Sequence, residues 1–254
     1  MRLKGKLMSA CLVGCICSFL SSNSSGQAGR EPDRLCYEGS VPSRVIAACS
    51  IIIESPQGDR HDLAVAFKNR ANAYDDQHKH ELAIKDFAEA IRLDPEDSDT
   101  FNSRGTTWTA LGQYSRAIED FNRALELKPG LAMAFSNRCF AKANVGQLQG
   151  ALDDCNEALR LRPGNSNASA SRAFVELKLK RPDEAIRDYD TALSQGEDPY
   201  SLFGRAVAKR MKGNLRESDD DVVRAQAIKP DIAEHMAKLG IELRLGDAGI
   251  GLTR

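Results

Sequence analysis

Pro95, Pro129 and Pro163 stand 34 residues apart, and the residues before each of them repeat in kind. A period of that length marks one supersecondary unit copied along the chain; each copy cannot bury its apolar face alone, so neighbours must stack. Counting back 31 positions from each proline starts units at 64, 98 and 132; a fourth begins at 166 and a fifth at 199. In that register position 8 is Ala71, Gly105, Cys139, Ala173 and Ala206, and position 24 is Phe87, Phe121, Cys155, Tyr189 and Val222. Position 20 is Ala83, Ala117, Ala151, Ala185 and Ser218, and position 27 is Ala90, Ala124, Ala158, Ala192 and Ala225.

Within each half of a unit, apolar and small residues recur three, four and seven apart, which is one face of an α-helix. Small residues at positions 8, 20 and 27 let two antiparallel helices approach closely. Gly112, Gly146 and Gly213 lie between the halves, where a helix must stop and reverse. The proline after a second half prevents that helix from continuing. The expected fold class is all-α: a solenoid of antiparallel helix pairs, with units at 64–97, 98–131, 132–165, 166–198 and 199–231. Ser218 and Asp219 predict a poorly packed second helix in the last unit.

The copy Phe101-Asn-Ser-Arg-Gly105-Thr-Thr-Trp108, Leu111-Gly112-Gln-Tyr114, Ala117-x3-Phe121-x2-Ala124 and Pro129 resembles the tetratricopeptide repeat family. The resemblance covers residues 64–231, about two thirds of the chain, and implies a right-handed superhelix of about five repeats. Upstream, Ser43 to Ile53 reads as the second helix of a degenerate first repeat within an N-terminal segment, 29–63. Downstream, Asp231 to Leu245 is helical by pattern, so 232–254 is read as a capping helix and tail.

Position 7, usually apolar in that family, is here Arg70, Arg104, Arg138, Arg172 and Arg205. Position 23 is Asp86, Asp120, Asp154, Asp188 and Asp221. A cation placed for recognition alone would not bring a carboxylate at every step, so these residues predict a structural ladder of two-pronged Arg–Asp pairs.

The family's first helices line a concave face, with positions 2, 5, 9, 12 and 13 pointing inward. Carried over, that implies a partner-binding face of Lys68, Asn72, Asn102, Phe140, Phe174, Tyr200, Phe203 and Arg210, polar at its N-terminal end and apolar at the other. Asp75, Asp76, Thr106, Leu177 and Val207 belong to the same set. Only Lys68 and Asn72 match the Lys/Asn clamp with which some members hold a peptide carboxylate, so an extended peptide or partner helix is the expected occupant.

Arg2, Lys4 and Lys6 precede an uncharged run from Leu7 to Leu20 and a small polar stretch. This is the three-part pattern of a secretory signal peptide over 1–28, with Gly26 and Ala28 supplying small residues before the cut. The run is shorter than the ~20 residues that a membrane span needs. A second reading takes Leu12-Val13-Gly14-Cys15, which resembles the lipobox of bacterial lipoproteins, and makes Cys15 an acylated first residue. Soluble export to the periplasm or beyond is preferred, because Ile16, Phe19 and Leu20 follow where a polar tether is expected. Beyond the leader four cysteines remain, and export permits disulfides. Cys36 and Cys49 could staple the N-terminal segment; Cys139 and Cys155 read equally as a bridge or as buried thiols.

Charge and motifs exclude several functions. With 35 basic and 36 acidic residues there is no excess to neutralise phosphates, so nucleic acid is not an expected partner. His61, His78, His80 and His235 lack metal-ligand spacing, and neither Gly-x-Ser-x-Gly nor a phosphate-binding Gly-rich loop is present. The expectation is a non-catalytic scaffold in the bacterial envelope that binds a protein or peptide, without metal or cofactor. The alternative is a lipid-anchored assembly lipoprotein acting on an outer-membrane or secretion machine.

Overall fold

A computed structural model describes residues 30–55 and 59–243; among them are thirteen helices and no strand. The leader with Cys15 and its cleavage site lies outside the described residues. A degenerate pair, α1 (Arg30–Glu38) and α2 (Pro42–Glu54), leads the stack. Five pairs follow: α3 and α4 (Arg60–Asp76, His80–Leu93), α5 and α6 (Ser98–Ala110, Tyr114–Leu127), α7 and α8 (Ala132–Asn144, Leu148–Leu161), α9 and α10 (Ser166–Lys178, Pro182–Leu193), α11 and α12 (Pro199–Met211, Leu215–Ile228). A short helix, α13 (Ile232–Lys238), covers the last pair. This is the helix-pair solenoid expected of the period.

Local chemistry sets the pairs. Asp59, Asp97, Asn165 and Asp198 each accept a hydrogen bond from a backbone N–H in the first turn of α3, α5, α9 or α11, so most first helices begin on a side-chain cap. Between the helices of a pair the chain turns through a residue with positive φ. Gly112, Gly146 and Gly213 do so without strain, and His78 and Lys180 hold the same place at φ 58° and 59°. The small residues at position 20 are fully buried in every unit.

The closest approach shows why position 8 is small. A Cβ on Gly105 would lie 2.6 Å from the Phe121 ring, so the ring occupies the space that a side chain would need. In the third unit cysteines replace this small–aromatic pair, and Cys139–Cys155 joins α7 to α8 covalently with both residues fully buried. Cys36–Cys49 joins α1 to α2 and sits in a cluster with Val45, Ile52 and Ala66.

The largest apolar cluster lies in the C-terminal half, where Phe174, Leu177, Tyr189, Leu202 and Phe203 pack with Ile232, Met236 and Ile241.

One sequence expectation needs correction, and two gain detail. The chain before Pro42 is helical, so the leading repeat has both its helices. The last helix ends at Lys238 rather than near Leu245, because Gly240 turns at φ 76° and Ile241 N–H donates to the Met236 carbonyl. Finally, α12 is a continuous helix in which Ser218 is fully buried in the place of the usual alanine, its hydroxyl accepting from Arg210 Nε at 3.3 Å, while Val223 and Ile228 stand exposed. No described helix is long and apolar enough to cross a membrane.

Candidate functional site

The five Arg–Asp pairs form within their own repeats. Each arginine donates through Nε and Nη2 to the two carboxylate oxygens of the aspartate sixteen residues on, every contact lying between 2.6 and 2.9 Å. The aspartates are buried and the arginines half-buried. The remaining nitrogen of four arginines reaches the preceding unit: Arg70 Nη1 donates to Ser50, Arg138 to Asn122, Arg172 to Asn156 and Arg205 to Asp190. The pairs therefore tie each hairpin together and pin it to its neighbour. Burial opposes ionisation of Asp221, but hydrogen bonds from Arg205 and Lys209 outweigh it and hold its pKa below the ordinary value. These charges are spent on the fold, and none of the ladder residues lines the wall formed mainly by α5, α7, α9 and α11.

That wall carries a groove of about 750 Å³ running from the α5–α6 turn across α7 and α9 to α11 and α13. Its floor holds a row of rings. Tyr114 and Phe140 meet edge to face at 6.3 Å between centroids, and Phe140 and Phe174 lie 5.2 Å apart. Tyr200 forms the far side, edge-on to His235 at 6.5 Å. Polar side chains interleave with the rings. Asn137 donates to Asn102 and Thr106, whereas Asn167 and Ser171 form no hydrogen bond with any described residue. The groove thus offers apolar contact and unused donors and acceptors, which suits an extended chain.

The residues expected on one concave face fall in several places. Phe140 and Tyr200 are accessible in the groove. Phe174 also lines it but is 4% exposed, and Phe203 is 1% exposed and does not line it. The same C-terminal packing buries Leu177 and Val207, because α13 and the turn at Gly240 fold over this end of the stack. Asn102 is buried, its side-chain oxygen accepting from Asn137 at 3.2 Å. Lys68 is held by Asp97 at 2.9 Å beside a separate cavity of about 380 Å³, and Asn72 lines a third of about 180 Å³ near Tyr37. Arg210 is paired with Asp219. The sequence reading missed Tyr114, Asn137, Asn167, Ser171 and His235. Asn137 and Ser171 share position 6, so inward pointing at position 6 was the available signal.

The described residues contain no group of His, Cys, Asp and Glu able to hold a metal ion.

Comparison with known proteins agrees with this architecture. The tetratricopeptide repeat family model matches residues 64–97 and 98–131. No curated protein matches the chain. Among solved structures, PilW, a widely conserved type IV pilus biogenesis factor, is similar with a TM-score of 0.67 and 16% identity, over 85% of this chain and 100% of that one. Pseudomonas aeruginosa pilF is similar with a TM-score of 0.64 and 15% identity, over 84% and 98%. YrrB, a TPR protein with an unusual peptide-binding site, gives 0.52 and 20% identity, over 77% and 97%. Identities this low speak for the fold alone. Residues 64–131 are tetratricopeptide repeats by sequence, and the described chain has the fold of a tetratricopeptide-repeat solenoid.

Proposed function

We propose that this protein is an exported, non-catalytic scaffold that holds an extended segment of a partner protein in the groove between the α5–α6 turn and α13. The observation that carries the reading is the row Tyr114–Phe140–Phe174 flanked by the uncommitted side chains of Asn167 and Ser171. Rings supply contact area and the amide and hydroxyl groups can meet a peptide backbone. The solved structure of YrrB is described as having a peptide-binding site, which supports the same use of this fold.

The envelope location rests on the charged-then-apolar leader and on two disulfides, since such bonds persist in oxidising compartments. A second reading, a lipid anchor at Cys15, is favoured by Leu12-Val13-Gly14-Cys15 alone. The mass of the mature N-terminus separates the two: a chain beginning at Gly29 supports soluble export, and an acylated Cys15 overturns it.

The groove is tested by selecting displayed peptides on the oxidised protein. Enriched peptides should lose most of their binding to the double variant Asn137→Ala, Tyr200→Ala. Absence of enrichment, or equal binding to the variant, overturns the reading.

A further inference from the structure

Two units of the stack build the same corner from different residues. In the first unit Asp97 caps α5, and its carboxylate takes Lys68 at 2.9 Å and Thr100 at 2.7 Å. The equivalent cap of α11 is Asp198, which accepts from Ser201 N–H at 2.7 Å. Lys68 is position 5 of its unit; position 5 of the fourth unit is Ala170. Val65, Lys68, Asp97 and Thr100 line the cavity of about 380 Å³, and their counterparts Asn167, Ala170, Asp198 and Ser201 line the groove. The fourth unit therefore keeps the carboxylate and cuts the cation back to a methyl group. Asp198 has no Lys, Arg or His nitrogen within 4.0 Å among the described residues.

A second group faces the same corner. Position 6 of the third and fourth units supplies Asn137 and Ser171 to the groove; in the fifth it is Gly204. A Cβ on Gly204 would lie 2.2 Å from the Tyr189 hydroxyl, so the phenol from α10 occupies the place of that side chain. Tyr189 is 2% exposed, lines the groove, and forms no hydrogen bond with any described residue. Burial, and then the charges of Asp198 and Asp188, push its pKa above the ordinary tyrosine value, so the hydroxyl stays protonated. Desolvated polar groups without partners are costly, and a ligand that supplies partners recovers that cost.

The charges in the lining select the sign of that ligand. Lys238 is answered by Glu234 at 2.8 Å, and both side chains are largely exposed, where water and salt screen them. His235 lies 3.1 Å from Asp231, with its Nδ1 buried and without a hydrogen bond. Asp198 is half-buried and unanswered. A carboxylate brought to this corner would meet another. An ammonium or guanidinium would find two acceptors, the Asp198 carboxylate and the Tyr189 oxygen, with the Tyr200 ring on the same wall.

We propose that Asp198 is a cation-recognition site in the groove, and that the partner is an extended protein segment whose Lys or Arg side chain takes the place that Lys68 holds at Asp97. The proposal rests on the groove reading above. The basic side chain passes over Ala170 to reach Asp198, and a large apolar residue of the same segment lies on Phe140.

The probe is a library of short random segments fused to carrier at both ends, so that no terminal amine is available. It is selected on the full oxidised protein, and the winners are then measured on Asp198→Asn and Ala170→Lys. Asparagine caps a helix as aspartate does, and Asn165 already caps α9, so the first variant removes the charge and keeps the cap. The second rebuilds the Lys68–Asp97 pair in the fourth unit and neutralises Asp198 from within the chain. Winners should carry Lys or Arg together with a large apolar residue, weaken as salt rises, and lose about tenfold or more in affinity on each variant. Selection repeated on Ala170→Lys should no longer favour basic segments. Winners that bind both variants as they bind the wild type, yet lose binding on Asn137→Ala, Tyr200→Ala, overturn the role of Asp198 and leave the groove reading standing. Winners that ignore all these residues, or no winners, overturn both. If only segments with a free N-terminal amine bind, the internal basic side chain is excluded. Melting curves guard the comparison. The two variants alter different helices, and the proposal requires that they share the loss of binding without sharing a loss of stability.

Discussion

Arg138 grips Asp154 with two parallel hydrogen bonds, Nε to Oδ2 at 2.8 Å and Nη2 to Oδ1 at 2.6 Å, one residue along each helix from the Cys139–Cys155 disulfide. An ionic rung and a covalent one thus bridge α7 and α8 side by side. The same two positions in the other units carry the ionic rung beside a small residue packed opposite a larger side chain.

The ladder should be costly to break at one end. Asp120 is buried, and Asp120→Asn leaves the Arg104 guanidinium half-buried and uncompensated. A loss of about 3 kcal/mol is expected. Asp220→Asn, on an exposed aspartate, should stay within about 0.5 kcal/mol of wild type. Asp97 would be a poor control, because it caps α5 and holds Lys68 and Thr100. Chemical denaturation of the three proteins decides, and equal midpoints for the Asp120 and Asp220 variants would reject the ladder's contribution.

The buried disulfide should matter comparably. Its cysteines are 16 residues apart, and cross-linking a loop of that size contributes about 3 kcal/mol in the chain-entropy account. The pair of substitutions Cys139→Ala, Cys155→Ala should lower the melting temperature of the oxidised protein. Reductant should lower the wild type further than it lowers this variant. Melting curves with and without reductant check both statements.

Gly105→Ala should destabilise through crowding. The added Cβ would meet the Phe121 ring at 2.6 Å, and relief requires the ring or α5 to shift. A cost of about 1–3 kcal/mol follows from overpacking, against the modest gain that alanine normally brings to a helix interior. The double variant Gly105→Ala, Phe121→Leu should recover part of the loss, which equilibrium unfolding would reveal.

Glu176 breaks a local rule. At the same repeat position Lys142 and Lys209 add a second cation to Asp154 and Asp221, whereas the fourth unit places a buried acid near Asp188. Burial is the main cause that raises the Glu176 pKa, and Glu184 and Asp188 add to it despite Arg181. A carboxyl whose folded pKa lies above its unfolded value of about 4.3 stabilises while protonated, and that contribution is lost as pH rises through the folded pKa. Glu176→Gln should therefore raise the melting temperature at neutral pH, with the difference shrinking below about pH 4. A difference that stays constant across a pH series would contradict this.

The 34-residue period determined the fold class, since helix pairs with alanine at positions 20 and 27 bury their faces only by stacking. The Arg–Asp spacing was equally legible, because residues 7 and 23 of a hairpin face each other whatever the neighbours do. Tertiary structure decided which inward positions are open. Phe203 and Phe174 stand at positions that point inward by register, yet Ile232, Met236 and Ile241 seal the first and narrow access to the second. It also decided that Cys139 and Cys155 are joined. Periodicity fixes the direction of a side chain relative to its own helix. What covers it depends on how distant repeats and the chain's last helix close over the groove, and that is a long-range outcome no local spacing encodes.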